Sequence, residues 1–569
     1  MRFTSAALGL AATLGGQLAH AQAGNSTFHN PILPGWHSDP SCVRVEDTYF
    51  CGTSTFIAFP GLPLYASKDL VNWRLASHTW NRESQLPGLS WNTTGQQHGM
   101  FASTVRYHNG ELYVICEYLG IAGAGGNIGV IFKTTDPFDD DAWSDPVTFL
   151  TDRIDPDLFW DDDGTVYVAT QGILLQTIDM ETGELSQPPV EIWPGTGGVW
   201  PEGPHIYKRD GYYYVLIAEG GTERDHAITI ARSQDIWGPY ESYEGNPILT
   251  NRGTDEYFQT VGHGDLFTDL EGKWWGVALA TRVGPQFTHF PMGRETVLYS
   301  ARWDEGEWPV LDPVRGNMTG WPLPPETRDV PGDGQFVADP DAYRFDAESP
   351  VPKHFVYWRV PRPGTFSMTD SGLEIVPSRS NLTGIASSLD PVMRGQHGLS
   401  FVGRRQTFTL FKFSVDLIFA PTEVGQEAGI TVFLTQYAHI DIGVVLLESG
   451  LSLRFRTEGN GPAPPENVIP VPGNWTEKPI RLHIEADDPT SYRLSASSGC
   501  GKPIEVGTAS SRRVSGATGS FVGSLVGAYA TCNGAGQGTE CPEGGVATFQ
   551  RWVYTPVAQF VDEGVSIPA

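Results

Sequence analysis

The sequence is short of basic residues, cysteine and long apolar runs, and these shortages exclude several classes of function. Lys and Arg total 37 against 66 Asp and Glu, which gives a net charge of −29. A chain this acidic does not suit nucleic acid, whose phosphates need basic partners, and it disfavours anionic membrane surfaces and polyuronides. No stretch after residue 23 is long and apolar enough to span a membrane as a helix. We therefore expect a neutral substrate, with neither nucleic acid nor a membrane as partner.

Six cysteines in 569 residues are too few for a disulfide scaffold. Two pairs are candidates for single disulfides, because each encloses a short loop: Cys42–Cys51 and Cys532–Cys541. The first pair flanks the turn Glu46-Asp47 symmetrically, so its members should face each other across a hairpin in an oxidising compartment. Cys116 is predicted to be a buried free thiol, whereas the sequence indicates no place for Cys500.

The first 23 residues are predicted to be a secretory signal peptide. Arg2 precedes an apolar run from Ala6 to Leu14, and the small residues Ala21 and Ala23 offer cleavage sites. Five Asn-X-Ser/Thr sequons fit passage through a eukaryotic secretory route: Asn25, Asn92, Asn317, Asn381 and Asn474. We expect a secreted, extracellular glycoprotein.

The most informative feature is a repeated unit of turn and strand. The turns lie at Asp47-Thr48, Asn109-Gly110, Asp163-Gly164, Asp210-Gly211 and Glu271-Gly272. An aromatic-rich strand follows each turn, and only the first turn lacks the glycine that tolerates positive φ. A period of roughly 50 residues built from short strands is typical of propeller blades. We therefore predict an all-β chain in which residues 24–320 form a five-bladed β-propeller.

One side chain lies eight residues before each turn, and we call this set the ring: Asp39, Phe101, Asp155, Glu202 and His263. Equivalent positions near the start of a blade's inner strand converge on the central axis, so the ring is the candidate active site. Asp39, taken alone, could be a turn residue before Pro40. His263 is as easily a buried histidine with satisfied hydrogen bonds as an axial ligand of water, metal or substrate. Glu202 lies between Pro201 and Gly203, a rigid frame that orients its side chain.

Three carboxylates around a pocket for a neutral substrate predict acid–base hydrolysis of a glycosidic bond. Its oxocarbenium-like transition state needs a protonated acid at the leaving oxygen and a carboxylate on the opposite side. A third carboxylate can raise the pKa of the acid by repulsion. The acidic clusters at 139–141 and 161–163 lack the spacing of a full calcium loop and are assigned to turns. Neither a Ser/His/Asp elbow, an HExxH motif nor a phosphate-binding loop is present in the sequence.

A second domain is predicted from about residue 351 to 569. Residues 321–350 are rich in Pro, Gly and Asp and predict a linker that lies against both domains. Apolar and polar residues then alternate in three stretches, which predict strands of a β-sandwich: Phe411–Phe419, Ile480–Ile484 and Val546–Tyr554. Helix signals are nearly absent throughout.

Residues 28–310 closely resemble glycoside hydrolase family 43, whose members are inverting enzymes on five-bladed propellers. The resemblance is carried by NPILPGWHSDPS, FPGLPLYASKDLVNW, VRYHNGELYVI, IDPDLFWDDDGTVYV, WPEGPHIYKRDGYYYVL, GHGDLF and MGRETVL. The region from about 350 to 556 resembles the concanavalin-like β-sandwich of fungal β-xylosidase-type members through RRQTFTLFKFSVDL and AGITVFLTQ.

The resemblance implies a role for each carboxylate of the ring. Asp39 would be the general base, Glu202 the general acid and Asp155 the modulator of the acid's pKa. No cofactor is implied beyond a structural calcium ion, which His263 would hold on the axis through a water cluster.

The resemblance also implies that Phe56 and Arg294 help to form the sugar-binding subsite. Where the family commonly reads Trp-Ala-Pro, this chain has Phe101-Ala102-Ser103. Phe101 keeps an aromatic wall for substrate, but with less area and on a less stiff loop.

These features predict a secreted, inverting exo-glycosidase that releases xylose from β-1,4-linked xylo-oligosaccharides of plant cell walls. The alternative is an α-L-arabinofuranosidase acting on arabinoxylan or arabinan, since both sugars present similar hydroxyl patterns to a small pocket. Two further alternatives are a non-catalytic glycan-binding propeller, which the carboxylate trio argues against, and a retaining fructosidase. The latter needs carboxyl groups about 5–5.5 Å apart, against about 6.5–9.5 Å for inversion.

Overall fold

The computed structural model describes residues 25–121, 127–186, 188–385, 388–475, 478–516 and 521–569. The predicted signal peptide lies outside these residues. Regular structure in the described part is almost entirely strand. Its helices are single turns: the α-helix Leu89–Asn92 and the 3₁₀ segments Glu83–Gln85, Asp140–Ala142 and Ser511–Val514. Within the described residues, no helix has the length and apolar character needed to cross a membrane.

Five four-stranded antiparallel sheets follow one another along the chain and form the blades of a propeller. Blade 1 comprises Ser41–Val45, Thr48–Gly52, Gly61–Ser67 and Arg74–Trp80, and blade 2 comprises Gly99–His108, Glu111–Leu119, Asn127–Thr134 and Val147–Thr151. Blade 3 comprises Asp157–Trp160, Val166–Thr170, Leu174–Thr177 and Val190–Glu191, and blade 4 comprises Glu202–Arg209, Tyr212–Glu219, Ala227–Ser233 and Glu241–Ser242. Blade 5 comprises Phe258–Thr268, Trp274–Arg282, Glu295–Arg302 and Val310–Leu311. Each predicted turn joins the first two strands of one blade, so the five-bladed prediction is confirmed.

Strands from both ends of the propeller region close the circle. Thr27–His29 pairs antiparallel with Asn317–Thr319. The buried Asn30 side chain then donates to the carbonyls of Leu298 and Arg315, each at 3.0 Å. Phe28 packs edge-on against Trp275 of blade 5, with ring centroids 6.0 Å apart. The start of the domain is thereby fixed to its last blade.

The C-terminal domain is a sandwich of two antiparallel sheets, as predicted. In spatial order the first sheet comprises Asn467–Pro470, Gly450–Glu458, Ala438–Leu447, Glu427–Thr435, Leu525–Thr531, Phe401–Arg405, Val356–Trp358 and Ala58–Phe59. The second comprises Phe366–Thr369, Gly372–Ile375, Ala547–Asp562, Leu410–Phe419, Ile480–Asp488, Ser491–Ser498 and Ile504–Ser510, with Asp341–Tyr343 and Val565–Pro568 paired to Ala547–Asp562. The alternation in Leu410–Phe419 buries Phe411, Phe413, Val415 and Leu417, and Phe419 is partly buried. Asp416 is the exception, because this buried carboxylate pairs with Arg481 at 2.7 Å.

One sheet of the sandwich contains a strand from the propeller domain. The propeller strand Ala58–Phe59 forms the edge of the first sandwich sheet, pairing with Tyr357 and Trp358. The linker lies along blade 1, where the Leu75 amide donates to the Gln335 carbonyl at 3.0 Å. Its end enters the sandwich through Asp341, which binds Arg404 at 2.6 Å. The linker is therefore packed against both domains and is not a flexible tether.

The cysteine predictions agree with the structure. Cys42 lies opposite Cys51 in the first hairpin of blade 1, and the two form a disulfide. Cys532 and Cys541 form the second disulfide. Cys116 is a buried free thiol, and Cys500 is free and exposed.

Candidate active site

The five ring residues line one cavity of about 420 Å³. The backbone explains their common orientation, because the inner strand of each blade bends where the ring residue lies. Asp39, Asp155 and His263 have φ of 53°, 58° and 49°, and at Glu202 it is the next residue, Gly203, that has φ of 56°. Left-handed residues of this kind interrupt the extended path of a strand. The ring that the repeats predict is therefore one site in three dimensions.

Asp39 is buried and held as a carboxylate. Arg294 donates to both of its oxygens, to Oδ1 at 2.8 Å and to Oδ2 at 3.2 Å. The Ser54 hydroxyl donates to Oδ2 at 2.6 Å. Burial by itself raises the pKa of Asp39, but Arg294, His263 and Ser54 outweigh that effect, so the pKa lies below its ordinary value. Asp39 is accordingly ionised at neutral and mildly acidic pH.

Glu202 has the opposite environment. It begins the inner strand of blade 4 and is partly buried in the cavity wall. Burial is the main cause that raises the pKa of Glu202 to about 7, and the negative charge of Asp39 adds to it. Arg294 and a long hydrogen bond of 3.4 Å from the Gln171 amide act in the other direction. Glu202 is therefore protonated at mildly acidic pH, where Asp39 is charged.

Asp155 lies between His263 and the backbone that carries Glu202. Its Oδ2 accepts the Gly203 amide at 3.1 Å and lies 3.9 Å from Nδ1 of His263. Burial is the main cause that raises the pKa of Asp155 to about 7; His263 lowers this pKa, and the charges of Glu202 and Asp39 raise it further. Because the repulsion between Asp155 and Glu202 is mutual, the two carboxyl groups titrate as a coupled set, and the role of Asp155 as modulator of the acid's pKa stays a prediction. Its visible contribution is to hold the backbone next to Glu202.

Asp157 is a second carboxylate two residues after Asp155, but it lacks the offset of eight residues from the turn and does not line the cavity. It is buried and pairs with Arg106 at 2.8 Å, and Arg106 also binds Asp265 at 2.9 Å. This network ties blades 2, 3 and 5 together beside the axis. The shared offset from the turn, which selects Asp155 over Asp157, therefore identifies the residue that reaches the cavity.

The predicted substrate role of Phe56 is not supported by its position. The side chain is 0% exposed, so it has no surface to offer to a sugar. Its ring packs edge-on against Phe101 at 4.8 Å and stacks on Phe521 at 5.8 Å between centroids. Phe101 and Phe521 line the cavity, and Phe56 supports them from behind. The sequence pattern locates the aromatic cluster but not which ring faces the cavity.

The C-terminal domain contributes Phe521 to the cavity, which sequence reasoning did not foresee. The Phe521 carbonyl accepts from Nε and Nη2 of Arg294, each at 3.2 Å, and its amide donates to Oε1 of Gln97 at 2.7 Å. Its ring lies 5.1 Å from the Arg294 guanidinium. Arg294, which also lines the cavity as predicted, is thereby positioned by both domains.

The residues near His263 do not build a direct calcium site. Calcium takes six to eight oxygen ligands, and among the described residues no group of three or more His, Cys, Asp or Glu is placed to hold a metal ion. A calcium ion held by His263 through water stays a prediction, and no step below depends on it.

Comparisons with known proteins identify the family. A family model described as "Glycosyl hydrolases family 43" matches residues 28–309. A second model, described as "Beta xylosidase C-terminal Concanavalin A-like domain", matches residues 343–555. The non-reducing end alpha-L-arabinofuranosidase of Bacteroides ovatus is 33% identical over 525 residues, covering 91% of this chain and 94% of its own length. The chain belongs to glycoside hydrolase family 43.

Two xylosidases are similar to this chain over most of its length. A beta-xylosidase of Bacillus subtilis is 30% identical over 80% of this chain and 87% of its own length. The crystal structure of a xylan beta-1,4-xylosidase from Bacillus halodurans superposes with a TM-score of 0.78 at 27% identity, covering 93% of this chain and 100% of that one. The chain is thus a family 43 glycoside hydrolase related to both xylosidases and arabinofuranosidases.

Proposed function

We propose that this family 43 member is a secreted exo-acting enzyme that releases xylose from β-1,4-linked xylo-oligosaccharides with inversion of configuration. One observation carries the mechanism: two carboxyl groups of one cavity are held in opposite protonation states. Asp39 is kept ionised by Arg294, whereas the pKa of Glu202 is raised to about 7. A charged carboxylate and a neutral acid are what the hydrolysis of a glycosidic bond needs. Inversion, in which the carboxylate acts as a base, is proposed from the resemblance to family 43.

The reaction uses each group once. Asp39 accepts a proton from a water molecule as the water oxygen bonds to the anomeric carbon. Glu202 donates its proton to the glycosidic oxygen as the bond from that oxygen to the anomeric carbon breaks. The water attacks from the face opposite the leaving group, so the configuration inverts. A second proton exchange with solvent returns Asp39 and Glu202 to their starting states.

The cavity supports action at a chain end. A space of about 420 Å³ lies within the range of sites that enclose one small ligand. Phe101 and Phe521 supply apolar wall, and Arg294 supplies hydrogen-bond donors near Asp39. The aromatic part of the wall suits a neutral sugar such as a pentose, and the carboxyl groups around it disfavour an acidic sugar.

Xylose is our proposed product, and arabinofuranose is the second candidate. The relationship to the Bacteroides arabinofuranosidase, which spans 91% of this chain, favours the second. Initial rates on nitrophenyl β-D-xyloside and nitrophenyl α-L-arabinofuranoside separate the two, and we expect the larger kcat/KM on the xyloside. A larger value on the arabinofuranoside would replace the substrate assignment but leave the mechanism in place. Sugar binding without turnover of either would favour a non-catalytic glycan-binding propeller.

Proton NMR of the first-formed sugar tests the mechanism. Hydrolysis of a β-xyloside by inversion gives α-xylose before mutarotation. If β-xylose forms first, Asp39 acts as a nucleophile and not as a general base. The two carboxyl groups also predict the pH range of activity. Activity should fall at acid pH, where Asp39 becomes protonated, and should fall again near pH 7, where Glu202 ionises.

Secretion is part of the proposal. It is supported by the apolar N-terminal sequence and by the two disulfides, which persist in oxidising compartments. Four of the five sequon asparagines are exposed and Asn381 is partly buried. Glycosidase treatment of the secreted protein should lower its apparent mass, and an unchanged mass would contradict N-glycosylation.

A further inference from the structure

The loop that carries Glu202 exposes one large aromatic side chain beside it. Trp200 is 63% exposed, although tryptophan usually buries most of its surface. Trp200 and Glu202 line the same cavity. The backbone of Trp200 has φ of 54°, a conformation that is costly for a bulky residue and persists only where its surroundings enforce it. An exposed ring in an enforced conformation indicates a role in binding.

The enforcement comes from a buried carboxylate in blade 4. Glu219 accepts the Thr196 amide at 2.9 Å, the Thr196 hydroxyl at 2.8 Å and the Gly198 amide at 3.0 Å. It also accepts the Thr229 hydroxyl at 2.6 Å. A Cβ on Gly198 would lie 2.9 Å from the Glu219 Cβ, so glycine is needed for this close approach. Three donors of the segment that leads into Trp200 thus bind one carboxylate of the blade, and the Thr229 hydroxyl holds that carboxylate in place.

Backbone hydrogen bonds fix the residues on both sides of Trp200. The Gly220 amide donates to the Val199 carbonyl at 2.8 Å, and the Gly172 amide donates to the Pro201 carbonyl at 2.8 Å. A Cβ on Gly221 would lie 3.3 Å from Cδ1 of the indole, so the ring rests close against this glycine. The backbone that carries the indole is therefore fixed before any ligand binds, which reduces the ordering entropy that binding has to overcome.

The chemistry of Glu202 identifies what lies over the indole. An oxygen that receives a proton from Glu202 must be within hydrogen-bond reach of it. The sugar that keeps this oxygen after cleavage therefore lies on the Glu202 side of the cavity, where Trp200 is located. A xylopyranose ring has equatorial hydroxyls and C–H groups on its faces, so one face can pack on the flat apolar surface of an indole.

We propose that Trp200 is the platform for the leaving-group sugar and defines an acceptor subsite for a second xylose unit. This inference rests on the proposed glycosidase function. The platform would favour oligosaccharides over small glycosides, because it binds the ring that departs and orients its oxygen toward Glu202. The residues Gly195–Gly198 and Glu219 serve the subsite only by positioning the loop.

The experiment compares two substrates that differ in the leaving group. Xylobiose has a pyranose to place on the indole, whereas β-xylosyl fluoride has no ring there and needs no platform. Trp200→Ala should lower kcat/KM for xylobiose by about tenfold, the upper range for one aromatic contact, and leave kcat/KM for the fluoride within about twofold. Trp200→Phe should recover most of the loss. Val199→Ala removes an exposed apolar side chain from the same loop and should leave kcat/KM unchanged for both substrates.

The results distinguish a failure of the acceptor subsite from a failure of the proposed glycosidase function. Equal losses on both substrates, or no loss on either, would overturn the acceptor subsite. Turnover of the fluoride serves as the check that Trp200→Ala is folded, and Trp200→Phe tests the platform independently if the alanine variant is unstable. A wild-type enzyme that hydrolyses neither substrate would overturn the proposed function instead.

Discussion

Removing the Arg294 guanidinium should move the acid limb of the pH–rate profile toward neutral pH. Arg294 makes two hydrogen bonds to Asp39, at 2.8 and 3.2 Å, and both side chains are buried. Burial raises the pKa of Asp39, and Arg294 is the largest influence that lowers it. In Arg294→Met, burial acts without that opposing charge. A base that binds its proton more tightly is ionised only at higher pH, so activity should begin at higher pH.

The size of the effect follows from the geometry. An opposite charge in direct contact lowers the pKa of a carboxyl group by about one to three units, and the acid limb should move by a similar span. The profile of kcat/KM on nitrophenyl β-xyloside is the appropriate assay, because it reports groups of the free enzyme. The alkaline limb should stay in place or move slightly toward alkaline pH, because Arg294 lowers the pKa of Glu202 but burial is the main influence on it.

A matched variant separates electrostatics from substrate binding. Ser54 donates one hydrogen bond of 2.6 Å to Asp39, but it carries no charge and does not line the cavity. Ser54→Ala should move the acid limb in the same direction by a smaller amount, with little change in KM. If Arg294→Met loses rate while its acid limb stays in place, Arg294 acts on the sugar alone and the account of Asp39 is wrong.

Three other substitutions and one truncation test the remaining parts of the site. Glu202→Ala should reduce hydrolysis of xylobiose far more than that of a dinitrophenyl xyloside, whose leaving group needs no proton, and equal losses would exclude Glu202 as the acid. Asp155→Asn should move the alkaline limb toward acid pH, because it removes a carboxyl group that is coupled to Glu202 by repulsion; a loss of rate with an alkaline limb that stays in place would show that Asp155 does not tune the acid. Phe521→Ala should raise KM for xylobiose several-fold at unchanged thermal stability, and an unaltered KM would show that this ring does not contact the sugar. A truncation that ends at Asp333 should aggregate or lose activity on nitrophenyl β-xyloside, because it removes Phe521 and the strands that pair with Ala58–Phe59; a soluble truncation with normal turnover would contradict this.

Much of the fold and part of the site follow from local sequence. A turn pair such as Asp163-Gly164 determines the conformation of only the few residues around it, so it predicts a hairpin from local sequence. Five such turns therefore predict five hairpins and five blades. The same locality explains the ring, because equal offsets in equal repeats give equal positions around an axis. Asp39, Asp155 and Glu202 were found in this way. The Cys42–Cys51 disulfide was also predictable, since hairpin register places the two residues opposite each other.

What the sequence by itself determined is therefore the set of repeated elements and the side chains that share a position within them. The tertiary structure alone decided which aromatic rings face the cavity. Phe521 meets Gln97 across 424 residues of chain, and no local pattern encodes a contact between two domains. The tertiary structure also decided the protonation states, because the pKa of a carboxyl group depends on how much solvent the whole fold removes from it. Burial makes Glu202 an acid near pH 7, and the Arg294 contact keeps Asp39 a base, although both are carboxyl groups in equivalent positions of the repeat.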